Sequence, residues 1–267
     1  MLSTILKDKI ALLLIALYAG ILLWWLKINL IGVGFDSEVY LFNWSYGFPP
    51  LIGALYGIFS IASHWGGYKS AIGRGLIFIS LGLLGQVMGL QIWTYYNLIA
   101  GVEVPYPSMA DLGYFALIPF YTLGALMFAK AVGGKFSLRT KHGQAMVFVI
   151  PLLMLLSAYF LFVRNIGFDV SDPIKAFLDY GYPLGEILPV SVALFILLIS
   201  KKLSGGIMRN RILFLVFAFT FQFLTEYLFL YAVSSETYSN GGYNDILYAT
   251  SYFIMSIGLI SFKYFED

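Results

Sequence analysis

Eight runs of about 20 mostly apolar residues, at 10–31, 48–65, 73–99, 112–133, 144–163, 182–200, 211–234 and 246–264, dominate this chain. A helix of that length is what crossing the ~30 Å hydrocarbon core of a bilayer requires. The chain of 267 residues is 60% hydrophobic and only 11% charged, too few polar side chains to coat a globule in water. Each run is apolar all round rather than alternating, which predicts helices and not a barrel. The expected fold is an all-α integral membrane protein with eight transmembrane helices and no soluble domain of useful size.

The chain also repeats itself at an offset of about 134 residues. Gly34-Phe35-Asp36 returns as Gly167-Phe168-Asp169, and Tyr46-Gly47-x-Pro49 as Tyr180-Gly181-x-Pro183. Gln86 and Tyr95 return as Gln222 and Tyr231; Asp111, Tyr114 and Gly124 return as Asp245, Tyr248 and Gly258. The expected units are residues 1–140 and 141–267, each a four-helix transmembrane repeat. Four spans per copy is an even number, so both copies face the same way and are related by an axis along the membrane normal. Ligand sites in duplicated membrane folds lie between the halves.

Charge sets the expected orientation. With the N-terminus cytoplasmic, the inner ends and loops hold Lys7, Lys9, Lys69, Arg74, Lys130, Lys135, Arg139, Lys141, Lys201, Lys202, Arg209, Arg211 and Lys263. Only Lys27, Arg164 and Lys175 fall outside. Of the acids, Asp8, Glu266 and Asp267 lie within and the others toward the outer side. These features predict a multi-pass protein of the cell membrane with cytoplasmic N- and C-termini and an uncleaved first helix. The lipid bilayer is the expected partner, and nothing in the charge pattern calls for nucleic acid. Cysteine is absent, which excludes disulfides and thiolate chemistry.

Many conspicuous residues have ordinary structural roles to fill. Pro49 and Pro183 suit the first turn of a helix, and Ser108-x-x-Asp111 suits a helix cap, as does Asp245. Gly53-x-x-x-Gly57 and Gly85-x-x-x-Gly89 permit close helix packing. His64 and His142 stand at the inner flank without a ligand set, so no metal site is expected. The polar residues inside the spans are harder to place. Gln86, Gln91, Gln222 and Glu226 need a bundle interior or a wet cavity, because facing lipid costs several kcal/mol. Gln222 and Glu226 are four apart and share a helix face, as do Tyr227 and Tyr231 on an adjoining one. Glu186 falls about one turn into the sixth span. The copies differ here: Ile52 stands where the second has Glu186, and Leu90 where it has Glu226. A helix-to-helix hydrogen bond and a ligand or proton site both account for these carboxyls.

The segment from Trp93-Thr94-Tyr95-Tyr96 to Pro105-Tyr106-Pro107-Ser108-Met109-Ala110-Asp111-Leu112-Gly113-Tyr114 resembles the multi-pass N-terminal sensory region of bacterial and archaeal diguanylate cyclases and histidine kinases. That region carries a Pro-Ser-x-Ala-Asp-x-x-Tyr element after a Trp/Tyr-rich helix. Tyr182-Pro183-Leu184-Gly185-Glu186 is similar to its later Tyr-Pro-Leu-Gly-Asp/Glu element. The resemblance implies a sensory role, but this sequence carries no kinase or cyclase output domain, so signalling would need a separate partner at the cytoplasmic face.

The expected function is therefore sensor-like, with a small apolar, aromatic or cationic ligand held in an outward-facing cavity between the repeats. The candidate ligand-binding residues are Glu226, Glu186, Gln222, Gln86, Gln91, Trp93, Tyr95, Tyr227, Tyr231, Asp111 and Asp245. No cofactor can be named from the residues. A proton-coupled secondary transporter using Glu226 and Glu186 is the alternative. An intramembrane enzyme with the same two carboxyls as an acid–base pair is a third.

Overall fold

The computed structural model describes residues 5–134, 139–166, 171–200 and 207–263. Gly167, Phe168 and Asp169, one of the duplicated marks, lie outside the described residues, as do Lys135, Lys201, Lys202, Glu266, Asp267 and the side chain of His142. All described elements are helical. In chain order they are α1 (Lys9–Leu30), α2 (Glu38–Ser45), α3 (Phe48–Tyr56), α4 (Ala71–Thr94), α5 (Met109–Ala131), α6 (Lys141–Leu161), α7 (Pro173–Gly185), α8 (Ile187–Ser200), α9 (Ile207–Ser234) and α10 (Tyr243–Ile260). A π-helical turn, Gly57–Ile61, carries α3 on into Ala62–His64, and a second, Tyr95–Ala100, extends α4.

Local chemistry accounts for most of the boundaries. Asp8 opens α1 by accepting from the backbone N–H groups of Ile10 at 2.7 Å and Ala11 at 3.0 Å. Ser108 and Asp111 form a reciprocal capping box at the start of α5. Pro49 and Pro173 sit in first turns, where a missing N–H leaves no bond unmade. Pro183 does not: it falls in the last turn of α7, just before the chain breaks at Glu186 to begin α8. The extension of α4 stops at Gly101, whose φ of +62° is a conformation glycine adopts without strain.

Among the described residues, seven helical segments are long and apolar enough to cross a membrane: Lys9–Leu30, Glu38–His64, Ala71–Ala100, Met109–Ala131, Gly143–Leu161, Pro173–Ile199 and Met208–Ser234. The second and sixth begin about ten residues earlier than their apolar runs, because the short helices α2 and α7 precede the breaks at Tyr46-Gly47 and Glu186. The eighth run becomes α10, which is not among the seven. Its 18 residues include Asn244, Asp245, Thr250, Ser251 and Ser256, and it is the most enclosed helix of the bundle. Protein surrounds it, and Asp245, Thr250, Ser251 and Ser256 find hydrogen-bond partners there.

Glycines set the closest helix pair. Gly85 and Gly89 of α4 lie against Gly113 of α5, where a Cβ on Gly113 would collide with the backbone of Gly89. Gly53 of α3 and Gly57 of the π-helical turn that follows it admit Ser256 of α10 and Ser80 of α4 in the same way, so these motifs serve packing inside the fold. Helix α10 packs on α9, α3 and α1, whereas α6 is the outlying helix, with Phe148, Leu152, Leu153 and Phe160 exposed.

One end of the bundle is tied shut. Asp8, 1% exposed, accepts from Lys263 Nζ at 2.7 Å and from Tyr56 OH at 3.2 Å, joining α1, α3 and the residues after α10. Burial opposes the charge on Lys263, but its bonds to Asp8 and Tyr56 outweigh that, and its ammonium titrates above the ordinary lysine range. At the other end Glu38 gathers the first duplicated mark, accepting from Gly34 N–H, from Trp24 Nε1 at 2.9 Å and from Lys27 Nζ at 2.7 Å. There Trp25 Nε1 and Asn29 Nδ2 of α1 donate to the carbonyls of Gly242 and Gly241.

Candidate functional site

A cavity of about 750 Å³ opens at the end of the bundle opposite the Asp8–Lys263 pair. Its walls come from both parts of the chain: α2, α4, the 101–108 loop and α5 on one side, α7, α9 and α10 on the other. The helical period explains which residues reach it. Gln86, Leu90 and Trp93 recur at four- and three-residue steps along α4, and Glu226, Phe229, Leu230 and Val233 do so along α9. Leu90, which the sequence comparison aligns with Glu226, faces the same space.

Four carboxyl groups line the inner part of this cavity, and three are occupied by the protein itself. Glu226 accepts from Gln222 Nε2 and from Tyr248 OH, each at 2.6 Å, one donor per oxygen. Gln222 is fixed behind it by the Ser251 hydroxyl. Asp111 accepts from Tyr182 OH at 2.8 Å with one oxygen and from Ser108 N–H at 2.7 Å with the other. Asp245 does likewise with Tyr238 OH at 3.2 Å and Gly241 N–H at 2.6 Å. Burial first, then the charge of Asp245 and the bond to it, hold the Tyr238 phenol protonated above its usual range, as a fixed donor.

Glu186 is different. It is 4% exposed, it lines the cavity, and its carboxyl makes no hydrogen bond among the described residues. Backbone packing places it there. Gly181 and Gly185 let α7 lie on Phe115 and Ile118 of α5, and Tyr227 OH donates to the Pro183 carbonyl at 2.9 Å. The joint between α7 and α8 is thereby held from both sides with Glu186 turned inward. Gln86, also in the wall, accepts from Tyr252 OH at 2.9 Å.

The mouth is strapped. Tyr106 of the 101–108 loop donates to Asp179 of α7 at 2.8 Å, and Lys175 pairs with the other Asp179 oxygen at 2.9 Å while lying 5.9 Å from the Tyr106 ring. Burial, then the bond to Asp179 and its charge, push the Tyr106 phenol above its usual range, so it remains a donor.

Of the residues expected at a ligand site, Glu226, Glu186, Gln86, Trp93, Asp111 and Asp245 meet in this cavity. Gln222 stands one layer behind. Tyr227 is buried beside Phe162 and Phe223 rather than facing the space. Gln91 points outward and accepts from Trp44 Nε1 at 2.7 Å. Tyr95 and Tyr231, 52% and 56% exposed, lie on the outer surface, because they sit 140° or more around their helices from Gln86 and Glu226. Sequence reasoning does not single out Tyr46, Tyr114, Tyr182, Tyr238, Tyr248 and Tyr252 as ligand residues, yet they supply much of the wall. The duplication signals Tyr46, Tyr114 and Tyr248, but its marks read as scaffold.

Chemically, this is a partly open, aromatic space with a surplus of acid groups. Among the described residues, no three His, Cys, Asp or Glu side chains come together as a metal-holding group. A second hollow of about 950 Å³ lies between α5 and α7–α8, lined by Phe115, Ile118, Pro119, Phe177 and Leu184. It is a nearly apolar groove on the outside of the bundle. No known family matches this chain, and neither a curated protein nor a solved structure shows significant similarity to it.

Proposed function

We propose that this chain is a multi-pass protein of the cell membrane that binds a small organic molecule in the acid- and tyrosine-lined cavity and passes the event to a separate signalling partner at the cytoplasmic face. The observation that carries the proposal is the cavity itself: about 750 Å³, comparable with sites for drug-sized ligands, and walled by both halves of the chain. The likeness of the Ser108–Tyr114 and Tyr182–Glu186 segments to bacterial sensory regions supports the same role.

In this proposal α10 is the eighth span and the two halves are repeats in one orientation. Their contacts support that arrangement: α4 packs on α5 as α9 does on α10, α3 on α4 as α8 on α9, and α1 on α3 as α6 on α8. Across the middle, α5 meets α8 and α10 meets α3, the reciprocal pair that a two-fold relation requires. The cytoplasmic side is the end holding Lys7, Lys9, Lys69, Arg74 and Lys263. Because the chain lacks cysteine, single cysteines at Lys7 and Glu103, both exposed, give a direct test of sidedness. An impermeant thiol reagent applied to intact cells should label Glu103→Cys and spare Lys7→Cys.

Sensing is favoured over transport because the Asp8–Lys263–Tyr56 cluster ties the far end and the cavity wall stops at the level of Gln86 and Tyr252. The deciding experiment is reconstitution in vesicles. Ligand binding without accumulation of ligand or proton flux is the expected result; flux lost in Glu226→Gln would make the protein a transporter.

A further inference from the structure

Glu186 and its surroundings narrow the chemistry of the ligand. Each oxygen of Glu226, Asp111 and Asp245 already has a donor from the protein. Glu186 has none among the described residues, although it is buried. The little surface Glu186 keeps faces the cavity, so whatever fills the cavity must supply the donor that water would otherwise give. The phenols of Tyr182, Tyr238, Tyr248 and Tyr252 are committed to protein acceptors, so what they offer a ligand is ring surface. Among the described residues, the basic side chain at the cavity is Lys175, which is paired with Asp179 at the mouth.

We infer that Glu186 anchors an organic ammonium that carries at least one N–H, with the apolar body of the ligand held against the tyrosine wall, an inference that rests on the cavity being a ligand site. A carboxylate ligand would meet a surplus of acid groups, a ligand without an N–H or O–H would leave Glu186 without a donor after displacing water, and a neutral alcohol could donate but would bring no charge to meet the carboxylate. A quaternary ammonium would keep the attraction to the rings but could not donate to the carboxylate. The lack of a multi-acid cluster among the described residues argues for an organic cation over a metal ion.

The test uses the purified full chain in lipid nanodiscs and four probes of one shape: 2-phenylethylamine, 2-phenylethanol, trimethyl(2-phenylethyl)ammonium and 3-phenylpropionate. Binding is read by calorimetry. The amine should bind about tenfold or more tightly than the other three, the scale by which a charge-assisted hydrogen bond exceeds a neutral donor's or none. Glu186→Gln should remove that advantage while leaving the alcohol unchanged or improved. Glu186→Asp, which keeps the charge but draws it back by one methylene, should retain part of it and guards against a folding defect in the first variant. Equal binding of amine and alcohol, or an amine advantage that survives in Glu186→Gln, would overturn the assignment and leave the cavity as a site for some other ligand. Failure of all four probes to bind would overturn both the assignment and the ligand-binding role of the cavity.

Discussion

Glu186 and Glu226 line one cavity in opposite circumstances. Glu226 is held by Gln222 and Tyr248, and replacing it with glutamine would turn an amide N–H toward one of those donors. Glu226→Gln should therefore cost about 1 to 3 kcal/mol of stability, the range for stranding a buried hydrogen-bonding group. Glu186→Gln loses no protein hydrogen bond and relieves an unpartnered carboxyl, so its thermal unfolding midpoint should equal or exceed that of the parent. Thermal unfolding of the two variants in the same detergent checks this, and equal losses would mean that Glu186 has a structural partner. The sequence marks both residues through the difference between the copies. It does not tell them apart, because pairing depends on Tyr248 and on the bend at Glu186, which no local pattern predicts.

At the level of elements, the contact between α4 and α5 depends on missing side chains. Gly113→Ala would place a methyl against the backbone of Gly85 and Gly89, so the helices must separate. A loss of about 2 to 3 kcal/mol is expected from such overpacking. Gly20, in the middle of α1, faces open space, and a Cβ there would meet nothing within 4 Å. It should respond the other way, with Gly20→Ala gaining up to about 1 kcal/mol from helix propensity. Unfolding midpoints of the pair give a signed comparison. The strap over the cavity is weaker, since Tyr106 is 47% exposed. Tyr106→Phe removes its bond to Asp179 and should raise hydrogen exchange in residues 101–108 about fivefold, as expected for one bond of about 1 kcal/mol, with little change in α4 and α5.

For the molecule as a whole, the far end of the bundle is closed by residues near the two limits of the described chain. Asp8 both caps α1 and holds Lys263, so Asp8→Ala should cost about 2 to 3 kcal/mol, combining a lost cap with a half-buried cation deprived of its carboxylate. The pH response has a definite sign. Folding raises the pKa of Lys263, so the stability it contributes is present below the ordinary lysine value and is lost as pH rises through the raised one. Unfolding midpoints measured from about pH 8 to pH 12 should fall more steeply above pH 10 for the parent than for Lys263→Met.

Length and apolarity of its runs were enough to establish a helical bundle with helices able to cross a membrane, because a bilayer imposes a length that is readable in one dimension. Capping at Ser108 and Asp111, and the use of glycine repeats for close packing, were equally local and equally legible. What required the tertiary structure was everything that depends on neighbours. Helix α10 is sheltered by protein and tolerates more polar groups than a lipid-facing span would. Gln91, Tyr95 and Tyr231 share helices with true cavity residues, but the angle around each helix turns them outward. The tyrosines that make the wall come from separate segments, and only the folded bundle brings them to face Glu186 across one space, because a side chain's partners are set by helix rotation and crossing, which a linear pattern does not encode.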